Sequence, residues 1–168
     1  VSATQFRPVL DQSDTPSTGY GGKLELRPPL GGDHVLRFGT DLRVAEGRMV
    51  EEAFNTASGL RTAIRRAGGR TSDLGLFVED DWTLGRLILT AGARADRWSV
   101  SNGRFSEQNG TGALATSRRY ADRSGWDTSF RGGLLWHASD RLALRGAAYT
   151  SLRQPTLNEL YRPFAVFP

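Results

Sequence analysis

Cysteine is absent from all 168 residues, which excludes a disulfide framework and any thiolate-ligated metal. Lysine is almost absent, Lys23 standing alone among 22 basic residues that are otherwise arginine. Long apolar runs are missing as well: no stretch approaches the roughly 20 residues that a membrane-spanning helix needs. Nor is there an enzyme's frame, because no G-x-S-x-G elbow, H-E-x-x-H pair or G-x-x-x-x-G-K loop occurs. His34 and His137 stand apart beside turns without metal-ligand spacing, and the Glu79, Asp80, Asp81 run reads as solvated charge near a turn rather than a cation site. The sequence therefore predicts no catalysis, no metal and no cofactor. Strong charge imbalance is lacking too: 18 acidic residues against 22 basic ones give +4, with both signs interspersed. A nucleic-acid-binding stripe should be more lopsided, so no nucleic-acid partner is expected. Met49 is the single methionine, the first residue is Val1, and no window of the sequence shows the short apolar core and basic flank of a secretory signal. The expectation is a portion of a longer product.

What the chain does contain is glycine, 20 residues of it, four tryptophans, and alternation with a period of two. Such alternation sends successive side chains to opposite faces of a strand. Tyr20 to Arg27 sets Tyr20, Gly22, Leu24 and Leu26 against Lys23, Glu25 and Arg27, and ends at Pro28 and Pro29, which cannot donate to a ladder. A turn through Gly31, Gly32 and Asp33 leads into Val35 to Val44, where Leu36, Phe38, Leu42 and Val44 oppose Arg37, Asp41 and Arg43. Asp73 to Thr83 and Leu87 to Trp98 form a second hairpin about Gly85 and Arg86, with Arg94 and Asp96 on the polar side of the latter. Trp126 to His137 and Leu142 to Arg153 form a third, with Arg131, Arg145 and Tyr149 on its polar face. All charged residues of the six segments except Asp80 and Arg97 oppose the apolar face.

Short turns after the first, third and fifth segments alternate with polar connections of about 25 residues, Ala45 to Ser72 and Ser99 to Gly125. Short turns on one edge and long loops on the other are the habit of outer-membrane barrels, and such loops are uncommon inside compact soluble domains. Trp126 and Trp136 share a face ten residues apart. At about 3.3 Å per residue and a tilt near 45° they lie roughly 23 Å apart along the barrel axis, close to the height of an apolar band edged by aromatic girdles. The predicted fold is all-β, an antiparallel up-and-down transmembrane β-barrel. About six strands are too few to close one, since closure takes about eight. Residues 1–168 are thus expected to be part of a barrel whose remaining strands lie outside this sequence, or that closes by oligomerisation.

The stretch "RQPTLNELY", with Arg153, Pro155, Thr156, Asn158, Glu159, Leu160 and Tyr161, resembles the F-R-x-P-T-x-x-E-L-Y signature of TonB-dependent outer-membrane receptors. "LGLFVEDDWTLGRLILTAGARADRW", Leu74 to Trp98, and "RGGLLWHASDRLALRGAAYTSLR", Arg131 to Arg153, are similar to that family's hairpins. Leu152 stands where the family usually has Phe, and Ala95 where Tyr is frequent.

The resemblance implies localisation in a Gram-negative outer membrane and active uptake of a scarce ligand: a ferric siderophore, cobalamin or a glycan. Lipid, an extracellular ligand and TonB are the implied partners, TonB acting through a plug and TonB box expected outside this chain. The signature residues read as a structural motif at the outer end of a strand, with Pro155 ending the ladder, Arg153 and Glu159 making polar contacts, and Tyr161 and Phe164 packing at the rim. Arg37, Asp41, Arg94, Asp96, Arg131, Arg145 and Tyr149 should face the lumen. The basic stretch Gly59 to Arg70, with Arg61, Arg65 and Arg66, is positioned to grip an anionic ligand or lipopolysaccharide phosphate, although solvated loop charge is the plainer reading. Arg118, Arg119 and Tyr120 belong to a second loop that would border a ligand vestibule. Two rivals remain, a passive porin or adhesin barrel and a soluble basic β-domain that binds nucleic acid.

Overall fold

A computed structural model describes residues 8–161 of the chain. Its eight strands are β1 (Leu10–Asp14), β2 (Ser17–Leu26), β3 (His34–Phe54), β4 (Arg61–Leu84), β5 (Leu87–Asn109), β6 (Leu114–Arg119), β7 (Arg123–Ser139) and β8 (Leu142–Tyr149), followed by one helical turn, α1 (Leu157–Tyr161). All pair antiparallel in one sheet of order β1-β3-β4-β5-β7-β8; β2 pairs with β3 below β1, and β6 with β5 above β7. The sheet is open among the described residues, with β1, β2, β6 and β8 at its edges. No described helix is long and apolar enough to cross a membrane.

The alternation fixes which side each residue takes. In β3 and β4 even-numbered residues share one face, Leu42 opposite Leu74 and Phe38 opposite Val78, and the apolar row continues through Ala93 of β5 to Phe130 of β7. That outer face is bare: Leu24 is 60% exposed, Phe130 60% and Trp126 62%. A globular β-sandwich would bury these side chains at about 1.5–3 kcal/mol each, so their exposure needs another apolar medium. From Leu84, in the row of Trp136, to Leu74, in the row of Trp126, the outer face covers about 23 Å of height at about 3.3 Å per residue and 45° tilt.

Two expectations are corrected. Segments 45–72 and 99–125 are not long loops: β3 and β4 run on to a tight turn at Asn55–Leu60, and β5 continues to Asn109 before returning as β6. Asn55 Oδ1 accepts the amides of Ala57 and Ser58 at 2.9 Å, with Gly59 left-handed, and Asn109 with Gly112 repeats the device at the next turn. Pairing persists there although the apolar and polar residues no longer alternate. In the other correction, β8 stops at Tyr149 rather than running on to Arg153.

Strand β5 holds one extra residue where it passes β4. Between the pairs Arg70–Ser101 and Gly68–Arg104, β4 contributes one residue and β5 two, with Asn102 left-handed at φ 55°. The bulge turns Gly103 inward and Arg104 outward. Asp122 holds it by accepting the Asn102 amide at 3.1 Å.

Candidate functional site

The inner face is lined by charge. Near the short turns, Arg37 pairs with Glu79 at 2.6 Å and with Asp81, while Arg131 Nε reaches the other Glu79 oxygen at 2.6 Å and Thr90 donates to Asp81 at 2.6 Å. Higher up, Arg94 donates to both oxygens of Asp41 at 2.6 and 3.0 Å, and its Nε to Asp96 at 2.8 and 2.9 Å; Asp73 stands 3.9 Å away. Gly75 has to be glycine-sized for this, since a Cβ there would fall on the Arg94 guanidinium. Arg37, Asp41, Arg94, Arg131, Arg145 and Tyr149 border one open trough of about 1410 Å³. Asp96, opposite Gly75, shares their face. Arg145 and Tyr149 have no ion pair or ring contact among the described residues.

Of the acidic run, Glu79 and Asp81 face this trough, whereas Asp80 points outward, bonds His34 Nδ1 at 2.6 Å, and lies beside the Trp82 ring on which His34 stacks at 5.4 Å. The three carboxylates thus share no site.

Five of the six residues expected in ligand loops lie in strands instead. Arg61, Arg65 and Arg66 lie within β4 and Arg118 and Arg119 within β6; Tyr120 follows directly. Arg65 bridges Glu51 at 3.1 Å and Glu107 at 2.7 Å on the inner face, where Gln12 also reaches Glu51. Arg61 pairs with Glu52 at 3.0 Å and Arg66 with Gln108 at 2.7 Å. Arg118, opposite Phe105, faces inward, while Arg119, opposite Arg104, faces outward. The strands therefore divide these arginines between two faces instead of gathering them.

The signature segment leaves the sheet. Thr150 still bonds the Phe130 backbone at 2.8 and 2.9 Å, after which the chain crosses the inner face and Gln154 donates to Asp73 at 2.9 Å. Thr156 then caps α1: its hydroxyl accepts the Glu159 amide at 3.3 Å, and Glu159 accepts the Thr156 amide at 2.7 Å, a reciprocal capping box. Arg153 holds the other Glu159 oxygen at 2.7 Å. The Thr156 amide, then Arg153, keep the Glu159 carboxyl below its ordinary range. Pro155 enters this cap six residues after the ladder has ended. Its amide-free nitrogen suits the bend there better than the strand end expected for it.

Leu157 and Tyr161 come down on three glycines from adjacent strands: Gly47, opposite Gly69, and Gly103 in the bulge. A Cβ on Gly69 would stand 2.8 Å from the Tyr161 ring and 3.1 Å from Leu157, and one on Gly103 would clash with that ring at 2.4 Å. Tyr120 packs on Tyr161 at 4.9 Å between centroids, and burial raises the Tyr161 hydroxyl above its ordinary pKa. Asn158 borders a pocket of about 590 Å³ beside the helix, and the Leu160 amide closes its turn onto Thr156 at 3.0 Å. Phe164 lies outside the described residues. Neither the glycine row nor Gln154 stands out in the sequence, but the Thr-x-x-Glu spacing of the cap does.

An open antiparallel sheet with one apolar and one ion-paired face, polar strand extensions at one edge and short turns at the other, defines a segment of outer-membrane barrel wall. The chain matches the family model described as TonB dependent receptor-like, beta-barrel, over residues 2–167, and it belongs to that family. No curated protein and no solved structure shows a significant match to it. The family is one of outer-membrane transport receptors that meet extracellular ligands, not of enzymes.

Proposed function

We propose that this chain forms part of the wall of a TonB-coupled importer that takes up a scarce, bulky ligand of the ferric siderophore, cobalamin or glycan kind. The observation that carries the reading is the inner face, where Arg37, Arg94 and Arg131 are each held by carboxylates along an open polar trough. Such a surface keeps water and a movable neighbour without presenting one dominant charge, which suits a conduit whose cargo must leave again. TonB engages the receptor through parts other than these strands. Of the residues expected to meet ligand, Arg118 and Tyr120 are kept, because Arg118 faces inward by register and Tyr120 packs on Tyr161.

The test is growth and uptake in a deletion strain supplied with each candidate ligand in turn. Import should return with the intact gene and stop when the inner membrane is de-energised. Uptake that continues after de-energisation points to a passive channel and overturns the proposal.

A further inference from the structure

The inner face bears charge above and below one uncharged stretch. Below it Arg43 stands opposite Asp73, and above it Glu51 stands opposite Arg65, bonded at 3.1 Å. Between these two pairs the cross-strand partners on the inner side of β3 and β4 are Ala45 with Thr71, Gly47 with Gly69 and Met49 with Ala67. Three successive pairs thus carry no charge, and only Met49 is long. A pocket of about 590 Å³ lies along this floor. The link from β1 to β2 at Thr15 and Pro16 borders it on one side, and Pro155 and Leu157 of the signature segment roof it, with Leu157 overhanging Gly47 and Gly69. The roof is fixed at both ends, by Gln154 on Asp73 and by the Thr156 and Glu159 cap that Arg153 holds.

The bordering residues decide what the pocket can take. None is aromatic, so a ring finds nothing to stack on. Glu46 and Arg48 are its only charged neighbours, and the alternation of β3 turns both side chains to the outer face. A charged group entering here would lose water without gaining a partner. Met49, unbranched and polarizable, adapts to an irregular apolar occupant. Gln12 and Gln154 each donate to a carboxylate, Glu51 at 2.8 Å and Asp73 at 2.9 Å, which leaves each a carbonyl oxygen to accept from a ligand.

We propose that this pocket seats an aliphatic chain carried by the imported ligand. The chain lies on Ala45, Met49 and Ala67 beneath Pro155 and Leu157, with an uncharged donor group at Gln12 or Gln154. The volume falls among those of pockets that enclose a small molecule, about 300–1,000 Å³. Arg43, which borders the ionic trough, precedes Ala45 by two residues on the same face, so the tail and the polar remainder of one ligand can occupy both spaces. The inference rests on the importer reading and narrows its ligand to an amphiphile.

The test follows the Met49 methyl resonance in receptor labelled with 13C-methyl methionine and held in lipid nanodiscs, the signal being assigned with Met49→Leu. Octanamide, a neutral aliphatic probe, should shift that resonance saturably, whereas acetamide, the same head without a tail, should leave it in place. Ala45→Leu, which adds three carbons to the floor, should weaken octanamide about tenfold, the effect of keeping roughly two methylenes in water. Partition of the probe into lipid is the same for both receptors and cancels. No saturable shift in wild type, or equal affinity in Ala45→Leu, overturns the proposal. Benzamide binding as tightly as octanamide overturns the aliphatic assignment, and this comparison needs no variant. The two readings fail separately: energised import by a receptor whose Met49 ignores octanamide sinks the pocket alone, and saturable binding by a receptor whose uptake ignores de-energisation sinks the importer alone.

Discussion

Replacing Arg94 with methionine removes one cation that serves two carboxylates directly and lies near a third. Asp41 and Asp96 would lose their bonds at 2.6 to 3.0 Å, and Asp73, 3.9 Å away, would keep only Gln154. Breaking a fully buried charge pair from one side costs about 3–5 kcal/mol. Here the Arg94 side chain is 30% exposed and that of Asp41 11%, so water recovers part of the loss and about 2–4 kcal/mol is expected. Followed by tryptophan fluorescence during urea unfolding in detergent, the midpoint should fall by roughly 1–2 M. Arg94→Lys should recover only part of this, because an ammonium cannot fork between Asp41 and Asp96. Adding Asp41→Leu to Arg94→Met should restore most of it, since the stranded charge is then gone. An Arg94→Met receptor within about 0.5 kcal/mol of wild type would refute the view that the network holds the inner face together.

Gly103→Val places side-chain atoms where the Tyr161 ring sits and should drive α1 off the glycine row, exposing the bond after Arg153 to trypsin about tenfold faster; unchanged cleavage would show the docking to be unimportant. Glu159 has a folded pKa below its unfolded value of about 4.3, so its cap stabilises α1 above that value and is lost as pH falls through the lower folded one. A spin label at position 158 should become mobile on acidification in wild type but be mobile at every pH in Glu159→Ala, whose side chain cannot accept the Thr156 amide; a label insensitive to both changes contradicts the cap. Phe130→Arg puts a charge near mid-height of the outer face and should cost about 2–4 kcal/mol in bilayer assembly, whereas Ser129→Asp, one residue away on the trough side and opposite Arg94, should assemble normally. Equal assembly yields from the two would contradict the assignment of faces.

The sequence showed most plainly the part of the molecule where chemistry differs between the two sides. Leu24, Phe38, Leu74, Phe130 and Trp136 alternate with charge because one face meets an apolar medium, and those strands and their hairpin partners stand where the alternation puts them. Past Val44 and Ser72 apolar and polar residues are mixed on both faces, the period-two contrast fades, and strands that continue for ten residues read as loop. Their pairing is written instead in cross-strand complements such as Glu52 with Arg61, or Glu51 and Glu107 about Arg65, which become visible only with the register known. Single-turn α1 has no periodicity to detect; only its Thr156 and Glu159 cap announces it. The glycine row at 47, 69 and 103 is scattered in sequence, and an unpaired residue in β5 is needed to bring its last member inward.

A nitroxide scan of Leu74 to Trp82 tests the assignment of faces most directly, and the absence of cysteine from these 168 residues leaves each introduced thiol unique among them. In reconstituted membranes, labels at even positions should collide with dissolved oxygen from the lipid phase, while those at odd positions should collide with a water-soluble nickel chelate. Loss of that alternation, or its reversal, would contradict the account.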